Sequence, residues 1–210
     1  MKVIGINGSP RKNGNTSILL HTVFEELNNE GIETEEINVA VKPFRGCTSC
    51  FKCAKNQDRH CVIKDGLNEI IDKLAEADGI LLGTPVYCAD VSGQIKIFLD
   101  RVSLVSAMNR SMLKRKIGAS VVAVRRAGSL HAFHSLNSFF SILEMVIAGS
   151  SYWNMGFGFQ EGEVNQDAEG LQTMRNLGKN MAWLIKMKEF TKDKIAEPDT
   201  KFEVITNFIR

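Results

Sequence analysis

The sequence predicts an α/β protein built on an open, doubly wound parallel sheet with helices on both faces. Short apolar segments of strand type alternate with amphipathic helical segments along the 210 residues, in a βαβ rhythm that is typical of parallel sheets. The unusual polar loops follow predicted strands. They therefore meet at the carboxyl edge of the sheet, where such folds bind ligands.

The first half of the chain contains three predicted strands and two predicted helices. The strands span residues 3–6, 33–39 and 79–83. The first and third are continuous apolar runs, as in buried parallel strands, and the second alternates. The first helix follows a polar loop and is expected to be capped by Asn15 or Thr16. The second follows Asp65, which we expect to cap it.

The second half continues the alternation. Helix, strand, helix, strand and helix are predicted at residues 93–105, 120–124, 132–146, 150–153 and 167–186. Residues 1–187 then form one domain, into which a cysteine-rich loop at 45–62 is inserted. The tail, residues 188–210, is expected to pack on this domain or on a neighbouring subunit, because it contains large apolar side chains. These are Phe202, Val204, Ile205, Phe208 and Ile209.

Composition argues against several classes of function. The net charge is only +2, so no bulk charge favours nucleic acid as a partner. The apolar run at the N-terminus is too short for a signal peptide or a membrane span. Cysteines that cluster, rather than spread as a disulfide framework, indicate a reducing compartment, which we expect to be the cytoplasm. We therefore expect no nucleic-acid or membrane partner.

Four of the five cysteines lie close together, as Cys47, Cys50, Cys53 and Cys61, spaced C-x2-C-x2-C-x7-C. The first three match the opening ligands of a bacterial ferredoxin, although the last gap is longer and a valine replaces the proline. Residues 42–64 also hold six lysines and arginines against one carboxylate, and this charge suits thiolates. The pattern favours a four-iron cluster. A four-thiolate zinc site, a redox-active dithiol and a solvated basic loop are the alternatives.

The loop between the first strand and the first helix, residues 7–17, has the chemistry of a phosphate cradle. Ser9, Thr16 and Ser17 supply hydroxyls, and the glycines let backbone N–H groups approach a ligand at the positive end of a helix. Hydroxyls with one arginine suit a terminal phosphate monoester. The loop has neither a Walker A triplet nor the Gly-x-Gly-x-x-Gly fingerprint. The alternative is an ordinary polar loop.

Two further loops end predicted strands. The run Thr84-Pro85-Val86-Tyr87 combines a rigid proline, backbone amides and one aromatic ring, so a flat heteroaromatic ring could lie against it. Plain surface packing of the tyrosine is the alternative. The loop after the fourth strand, which contains Arg125, Arg126 and Gly128, offers cations and a backbone able to come close to a ligand. Its arginines suit the phosphates of a nicotinamide cofactor, or are simply solvated.

These three loops together resemble the NADPH-dependent FMN reductase family, which has the flavodoxin-like fold. The matching runs are Gly8-Ser9-Pro10-Arg11, Gly14-Asn15-Thr16-Ser17, Thr84-Pro85-Val86-Tyr87, Gly93-Gln94-Ile95-Lys96 and Asp100-Arg101. The cysteine run is similar to that of the iron–sulfur flavoproteins, whose compact motif is C-x2-C-x2-C with a fourth cysteine a few residues on. The resemblance covers roughly residues 1–186.

The resemblance implies a five-stranded sheet of order 2-1-3-4-5, FMN as cofactor and a flavin-dependent oxidoreductase. It implies that the FMN phosphate contacts Ser9, Arg11, Asn15, Thr16 and Ser17, and that the ring contacts Pro85, Val86 and Tyr87. We add Gly128, after the fourth strand, to the candidate cofactor-binding residues. Cys47, Cys50, Cys53 and Cys61 would hold a [4Fe–4S] cluster. Family members commonly form dimers or tetramers, so a homodimer or homotetramer is expected.

The sequence therefore predicts an FMN-dependent electron-transfer flavoprotein whose [4Fe–4S] cluster couples two-electron and one-electron partners. A cluster-free NAD(P)H-dependent FMN or quinone reductase and a zinc-stabilised flavin-binding redox sensor are the alternatives. The expected partners are a one-electron carrier such as ferredoxin, or NAD(P)H as donor, and a small-molecule acceptor. No catalytic acid or base is nominated, because hydride transfer to a flavin requires none.

Overall fold

A computed structural model describes residues 1–200, 203, 204 and 206 of the chain. The strands are β1 (Lys2–Asn7), β2 (Glu33–Asn38), β3 (Gly79–Pro85), β4 (Ile117–Val124), β5 (Val146–Ile147) and β6 (Met155–Phe157). They form one parallel sheet of order β2-β1-β3-β4-β5, with β6 also paired to β4. The predicted doubly wound parallel sheet and its strand order are confirmed.

The helices cover both faces of the sheet. They are α1 (Asn15–Asn29), α2 (Lys52–Asn56), α3 (Leu67–Glu76), α4 (Gly93–Met108), α5 (Ser129–Ile142) and α6 (Ala168–Thr191), with a 3-10 turn at Glu163–Gln166. Buried side chains of α1 and α6 form one core with the sheet. Those of α3, α4 and α5 form the other. Among the described residues, no helix is both long enough and apolar enough to cross a membrane.

The fifth strand position is divided, and the predicted strand at 150–153 was wrong. β5 pairs with the start of β4, β6 pairs with its end, and residues 149–153 leave the sheet between them. Tyr152 and Trp153 suggest a strand by composition, but their rings pack edge to face on each other at the surface. The helix predicted to reach residue 146 ends at Ile142, because Glu144 adopts a left-handed conformation at φ 54°.

Two predicted helix caps were also wrong. Gly14 occupies the N-cap of α1 without a side-chain hydrogen bond, and the amide of Asn15 instead donates to the carbonyl of Gln160 at 2.9 Å. Gly66 is the N-cap of α3, and the carboxylate of Asp65 is committed to a buried ion pair with Arg101. In both cases, the side chain that was expected to cap the helix bonds to a residue that is distant in the sequence.

The last helix begins as predicted, since Asp167 caps it by accepting from the N–H of Gly170 at 2.9 Å. It continues to Thr191, so the expected domain boundary at residue 187 falls inside it. Part of the tail lies against the domain, where Arg115 bonds Glu197 at 3.0 Å. Val204 is exposed. The other apolar tail residues, Phe202, Ile205, Phe208 and Ile209, lie outside the described residues, so packing on another subunit stays a prediction.

Candidate functional site

The loops after β1, β3, β4 and β6 surround a cleft at the carboxyl edge of the sheet. The strand order reverses between β1 and β3, and such a switch point opens a crevice in an open α/β sheet. The carboxyl-edge cleft has a volume of about 260 Å³. It is lined by Ser9, Arg11, Asn15, Thr16, Pro85, Val86, Tyr87, Ala123, Arg125, Gly158 and Phe159.

The phosphate loop (residues 7–17) is ordered by its own hydrogen bonds. The buried Asn7 accepts from the N–H of Ser9 at 2.8 Å, and the Ser9 hydroxyl accepts from the N–H of Arg11 at 3.3 Å. The hydroxyl of Ser92, at the start of α4, donates to the carbonyl of Gly8 at 2.7 Å. Gly8 tolerates no larger residue, because a Cβ there would lie 2.8 Å from the Cβ of Ile95. The loop is thus held against the sheet.

The N-terminus of α1 opens into this cleft without a side-chain cap and without an acidic residue in its first turn. Its first N–H groups therefore have no intrahelical acceptor and carry positive partial charge. Ser9 and Thr16 are buried beside them. This arrangement of hydroxyls, backbone donors and the Arg11 guanidinium fits a phosphate monoester.

The ring loop (residues 84–88) is set by a tight turn. Tyr87 donates to the carbonyl of Asp90 at 2.8 Å, and Asp90 donates back at 3.1 Å. Cys88 and Ala89, between them, both adopt left-handed conformations. The turn leaves the Tyr87 ring about two-fifths exposed at 43%, at the rim of the cleft. Cys88 is exposed.

Seven of the predicted cofactor residues line the carboxyl-edge cleft, and two do not. The hydroxyl of Ser17 donates to Glu36 at 2.9 Å, away from the cleft. Gly128 is the N-cap of α5 at φ 91°, and a Cβ there would come within 2.9 Å of Val86. Gly128 therefore supports the ring loop from behind. Whether each residue contacts FMN stays a prediction.

Sequence reasoning missed the loop after β6, which closes one side of the cleft. The guanidinium of Arg11 donates to the carbonyl of Phe159 at 2.9 Å, and the guanidinium of Arg125 lies 5.4 Å from the centre of the Phe159 ring. The loop was missed because the fifth strand was placed before it. The Gly-Phe-Gly-Phe run at 156–159 was the available signal, since two small residues there allow close packing on α1.

The four clustered cysteines line one small cavity beside α4. This cysteine cavity, of about 20 Å³, is lined by Cys47, Thr48, Cys50, Phe51, Cys53, Cys61, Val62, Ile63, Arg101, Leu104 and Val105. Cys53 is buried and Cys61 half-buried, whereas Cys47 and Cys50 are exposed. His60, which precedes Cys61, pairs with Asp72 at 2.9 Å. In the described part of the chain, no three His, Cys, Asp or Glu side chains are arranged to hold a single metal ion.

The cysteine loop (residues 45–62) has a strained backbone and distinct thiol environments. Four non-glycine residues adopt left-handed conformations, namely Ser49, Phe51, Gln57 and Arg59, and such strain is frequent at functional sites. The N–H of Lys52 and the hydroxyl of Thr48 lower the pKa of Cys50. Burial raises the pKa of Cys53. The exposed thiol is therefore the more easily deprotonated of the two.

A buried ion pair lies at the base of the cysteine loop. The guanidinium of Arg101 contacts the carboxylate of Asp65 at 2.5 Å, and the arginine side chain is fully buried. Burial opposes ionisation of Asp65, but hydrogen bonds from Arg101 and from the N–H of Arg45 outweigh it and lower its pKa. The charged pair is thus maintained inside the protein.

Comparison with known proteins gives one family match and several similar chains. The model of the NADPH-dependent FMN reductase family matches residues 1–160. An iron–sulfur flavoprotein of Methanocaldococcus jannaschii is 39% identical, over 89% of this chain and 98% of that protein. An iron–sulfur flavoprotein of Methanosarcina thermophila is 31% identical, over 92% of this chain and 100% of that protein.

Among solved structures, a flavodoxin from the domain Archaea superposes with a TM-score of 0.58 at 17% identity, covering 89% of this chain and 99% of that one. Identity at this level indicates the fold alone. The fold is flavodoxin-like, in agreement with the strand order above.

Proposed function

The chain belongs to the iron–sulfur flavoprotein branch of the NADPH-dependent FMN reductase family, and from this premise we propose that it couples FMN to a [4Fe–4S] cluster bound in the cysteine cavity. Membership makes it an FMN-binding, flavin-dependent oxidoreductase. The proposal adds the cluster, the residues that hold each cofactor and the partners. FMN supplies hydride and single-electron chemistry when bound, whereas the cluster carries one electron at a time.

The carboxyl-edge cleft fits FMN in its polarity. Hydroxyls of Ser9 and Thr16, the Arg11 guanidinium and the free N–H groups of α1 would bind the phosphate. Pro85, Val86 and Tyr87, on the other side of the cleft, would contact the flavin ring. Apolar and aromatic walls with a few convergent polar groups are typical of cofactor sites.

One observation supports the cluster above all others: all four cysteines of the C-x2-C-x2-C-x7-C run line a single cavity. The walls are otherwise mostly apolar, which shields from solvent the side of a cluster that faces Cys53 and Cys61. A four-thiolate cluster is anionic, and the fully buried guanidinium of Arg101 lines the same cavity. The donor set, the surroundings and the charge therefore all suit iron and sulfide.

The two sites suggest where partners approach. Cys47 and Cys50 are exposed, so a one-electron carrier could reach the cluster side of the protein. The same loop exposes three cations, namely Lys52, Lys55 and Arg59, which favours an acidic carrier such as ferredoxin. The exposed ring of Tyr87 marks the rim of the cleft, where NAD(P)H or a small-molecule acceptor would meet the flavin.

The test of the cluster is an anaerobic visible spectrum with iron, sulfide, zinc and FMN assays on one sample. We expect flavin bands over broad absorbance, with iron and sulfide about equal. Cys50→Ser should lose iron and the broad absorbance while keeping FMN. Cys88→Ser, which removes an exposed thiol outside the cysteine cavity, should keep both. Zinc in place of iron, or an unchanged spectrum in Cys50→Ser, would contradict the cluster proposal.

The electron donor is tested separately. We expect reduced ferredoxin to reduce both centres of the wild-type protein, whereas Cys50→Ser should accept electrons from it much more slowly. Rapid reduction by NADPH, equal in the wild type and in Cys50→Ser, would favour the cluster-free reductase. Stopped-flow absorbance at the flavin band follows both reactions.

A further inference from the structure

The guanidinium of Arg101 is a fully buried charge that α4 directs to the cysteine cavity. Its two terminal nitrogens donate to three groups. Nη1 contacts the carbonyl of Arg45 at 3.2 Å and the Oδ2 of Asp65 at 2.5 Å, and Nη2 contacts the carbonyl of Ile63 at 3.1 Å. A guanidinium presents its donors from separate nitrogens in a fixed plane, whereas an ammonium group presents its three donors from a single nitrogen.

These contacts close the cysteine loop at its base. Arg45 lies two residues before Cys47, and Ile63 lies two residues after Cys61. The Oδ2 of Asp65 also accepts from the N–H of Arg45 at 3.0 Å, so the entry of the loop is bonded through both its N–H and its carbonyl. One ion pair therefore joins the two ends of the segment that carries all four cysteines.

Two of the five N–H groups of Arg101 are not used by these contacts, namely the Nε–H and one N–H of Nη2. Its Nε is buried and has no hydrogen-bond partner in the described part of the chain, and a buried donor without an acceptor is costly. Arg101 is paired with the carboxylate of Asp65 and lines the cysteine cavity. The side chain is therefore a cation with donors to spare beside the four cysteines.

We propose that Arg101 is a positioning residue for the cluster. It would hold residues 45 and 63, the two ends of the cysteine loop, close to each other, and it would donate its Nε–H to a sulfur in the cysteine cavity. This inference rests on the proposed function. One-electron reduction adds a negative charge to the cluster, and a fixed cation with a hydrogen bond to sulfur stabilises that charge. Arg101 should therefore raise the cluster's reduction potential as well as secure the cluster.

The test compares Arg101→Lys with the wild type and with Arg175→Lys. Both substitutions keep the charge and remove the guanidinium, but Arg175 is exposed on α6 and away from the cavity. In the full-length holoprotein, we expect Arg101→Lys to bind FMN normally, to hold less than half the wild-type iron and sulfide, and to show a more negative potential for any remaining cluster. Arg175→Lys should match the wild type. Assays for both cofactors and an EPR-monitored redox titration measure this.

A second variant distinguishes a loss of the cluster from misfolding caused by an unpaired buried charge. Arg101→Gln combined with Asp65→Asn removes both charges, so no buried charge is left unpaired. Retained FMN with a lowered iron content or a more negative potential in this variant would support the role of Arg101. Wild-type iron content and potential in Arg101→Lys or in the double variant would overturn it. Iron and sulfide missing from the wild type would instead refute the proposed function, and this inference with it.

Discussion

The carboxylate of Glu36 accepts three hydrogen bonds at the base of the phosphate loop. Asn7 donates to it at 2.8 Å, Ser17 at 2.9 Å, and the ring of His21 lies at 2.8 Å. By holding the amide nitrogen of Asn7, Glu36 directs the other end of that amide to the N–H of Ser9. A residue on an edge strand thus orders a loop that it does not line.

We expect Glu36→Ala to weaken FMN binding roughly tenfold, which corresponds to about 1.4 kcal/mol and is comparable to the net contribution of one intramolecular hydrogen bond. The loss reflects a phosphate loop that is less ordered before binding. Fluorescence of flavin released on dilution gives the Kd. Glu30→Ala is the control, since Glu30 is exposed and pairs with Lys186 at the far end of α1. Equal affinity in the two variants would exclude this role for Glu36.

Asp90 is the titratable group of the ring-loop turn. Burial opposes its ionisation, but hydrogen bonds from the N–H of Val91 and the hydroxyl of Ser135, with the charge of His131, lower its pKa below the ordinary 3.8. A carboxyl whose folded pKa is lowered contributes stability above its unfolded pKa. That contribution is lost as the pH falls through the folded value.

Ser135→Ala should therefore destabilise the protein by several tenths to about 1 kcal/mol near neutral pH. The difference from the wild type should shrink below about pH 3.8 as Asp90 becomes protonated. Urea unfolding at a series of pH values measures it. Ser138→Ala, which removes an exposed hydroxyl from the same helix, should show no such pH dependence. A Ser135→Ala difference that is constant with pH would contradict the assignment to Asp90.

At the scale of elements, helix ends in this chain often use left-handed residues that are not glycine. Asn109 is the C-cap of α4, and the exposed Arg110 after it has φ 59°. This position commonly holds glycine, which adopts such a conformation without steric cost. Because no glycine marks the end of this helix, the sequence did not locate its last residue. Helix α4 ends three residues later than predicted.

We expect Arg110→Gly to stabilise the protein by about 0.5–1 kcal/mol, because it relieves a left-handed side-chain penalty at an exposed site. Thermal unfolding of the holoprotein measures the change. Arg110→Ala removes the same side chain but keeps a Cβ at positive φ, so it should give no gain. A stabilisation shared equally by both variants would show that the arginine side chain, and not its backbone conformation, was unfavourable.

The divided fifth strand has the largest effect on the site among the elements. β6 places the loop that contains Gly158 and Phe159 against the phosphate loop. A Cβ on Gly158 would lie 2.7 Å from the amide nitrogen of Asn15, so this closeness depends on glycine. The sequence predicted neither β5 nor β6, because strands of two and three residues are too short to show an alternation of apolar and polar side chains.

At the scale of the whole molecule, large apolar side chains remain exposed on α5 and α6. Ile142, Trp183 and Phe190 are 75%, 63% and 70% exposed, and apolar groups of this size are common at subunit interfaces. We expect sedimentation equilibrium of the holoprotein to give the mass of a homodimer or homotetramer. Trp183→Ser should weaken that assembly if α6 contributes to it. A single-chain mass at micromolar concentration would contradict the expectation.

The strand order follows from the resemblance of the sequence to a known family, whereas the fold class and the candidate residues for phosphate, ring and metal follow from the sequence alone. These are encoded locally: the C-x2-C-x2-C spacing, the serines and threonine before α1, and the apolar runs of β1 and β3 depend on neighbouring residues only. The same local pattern predicted that Ser17 contacts the phosphate, but its hydroxyl donates to Glu36 instead.

Which residues distant in sequence come into contact depends on the packing of the folded chain. Arg101 reaches Asp65 and the ends of the cysteine loop across 36 and more residues, and Arg11 reaches Phe159 across 148. No spacing rule links such pairs, because their contact depends on how helices pack on the sheet. Asp65 and Asn15 looked like helix caps by local pattern, but a partner from elsewhere in the fold offered each a more favourable set of bonds.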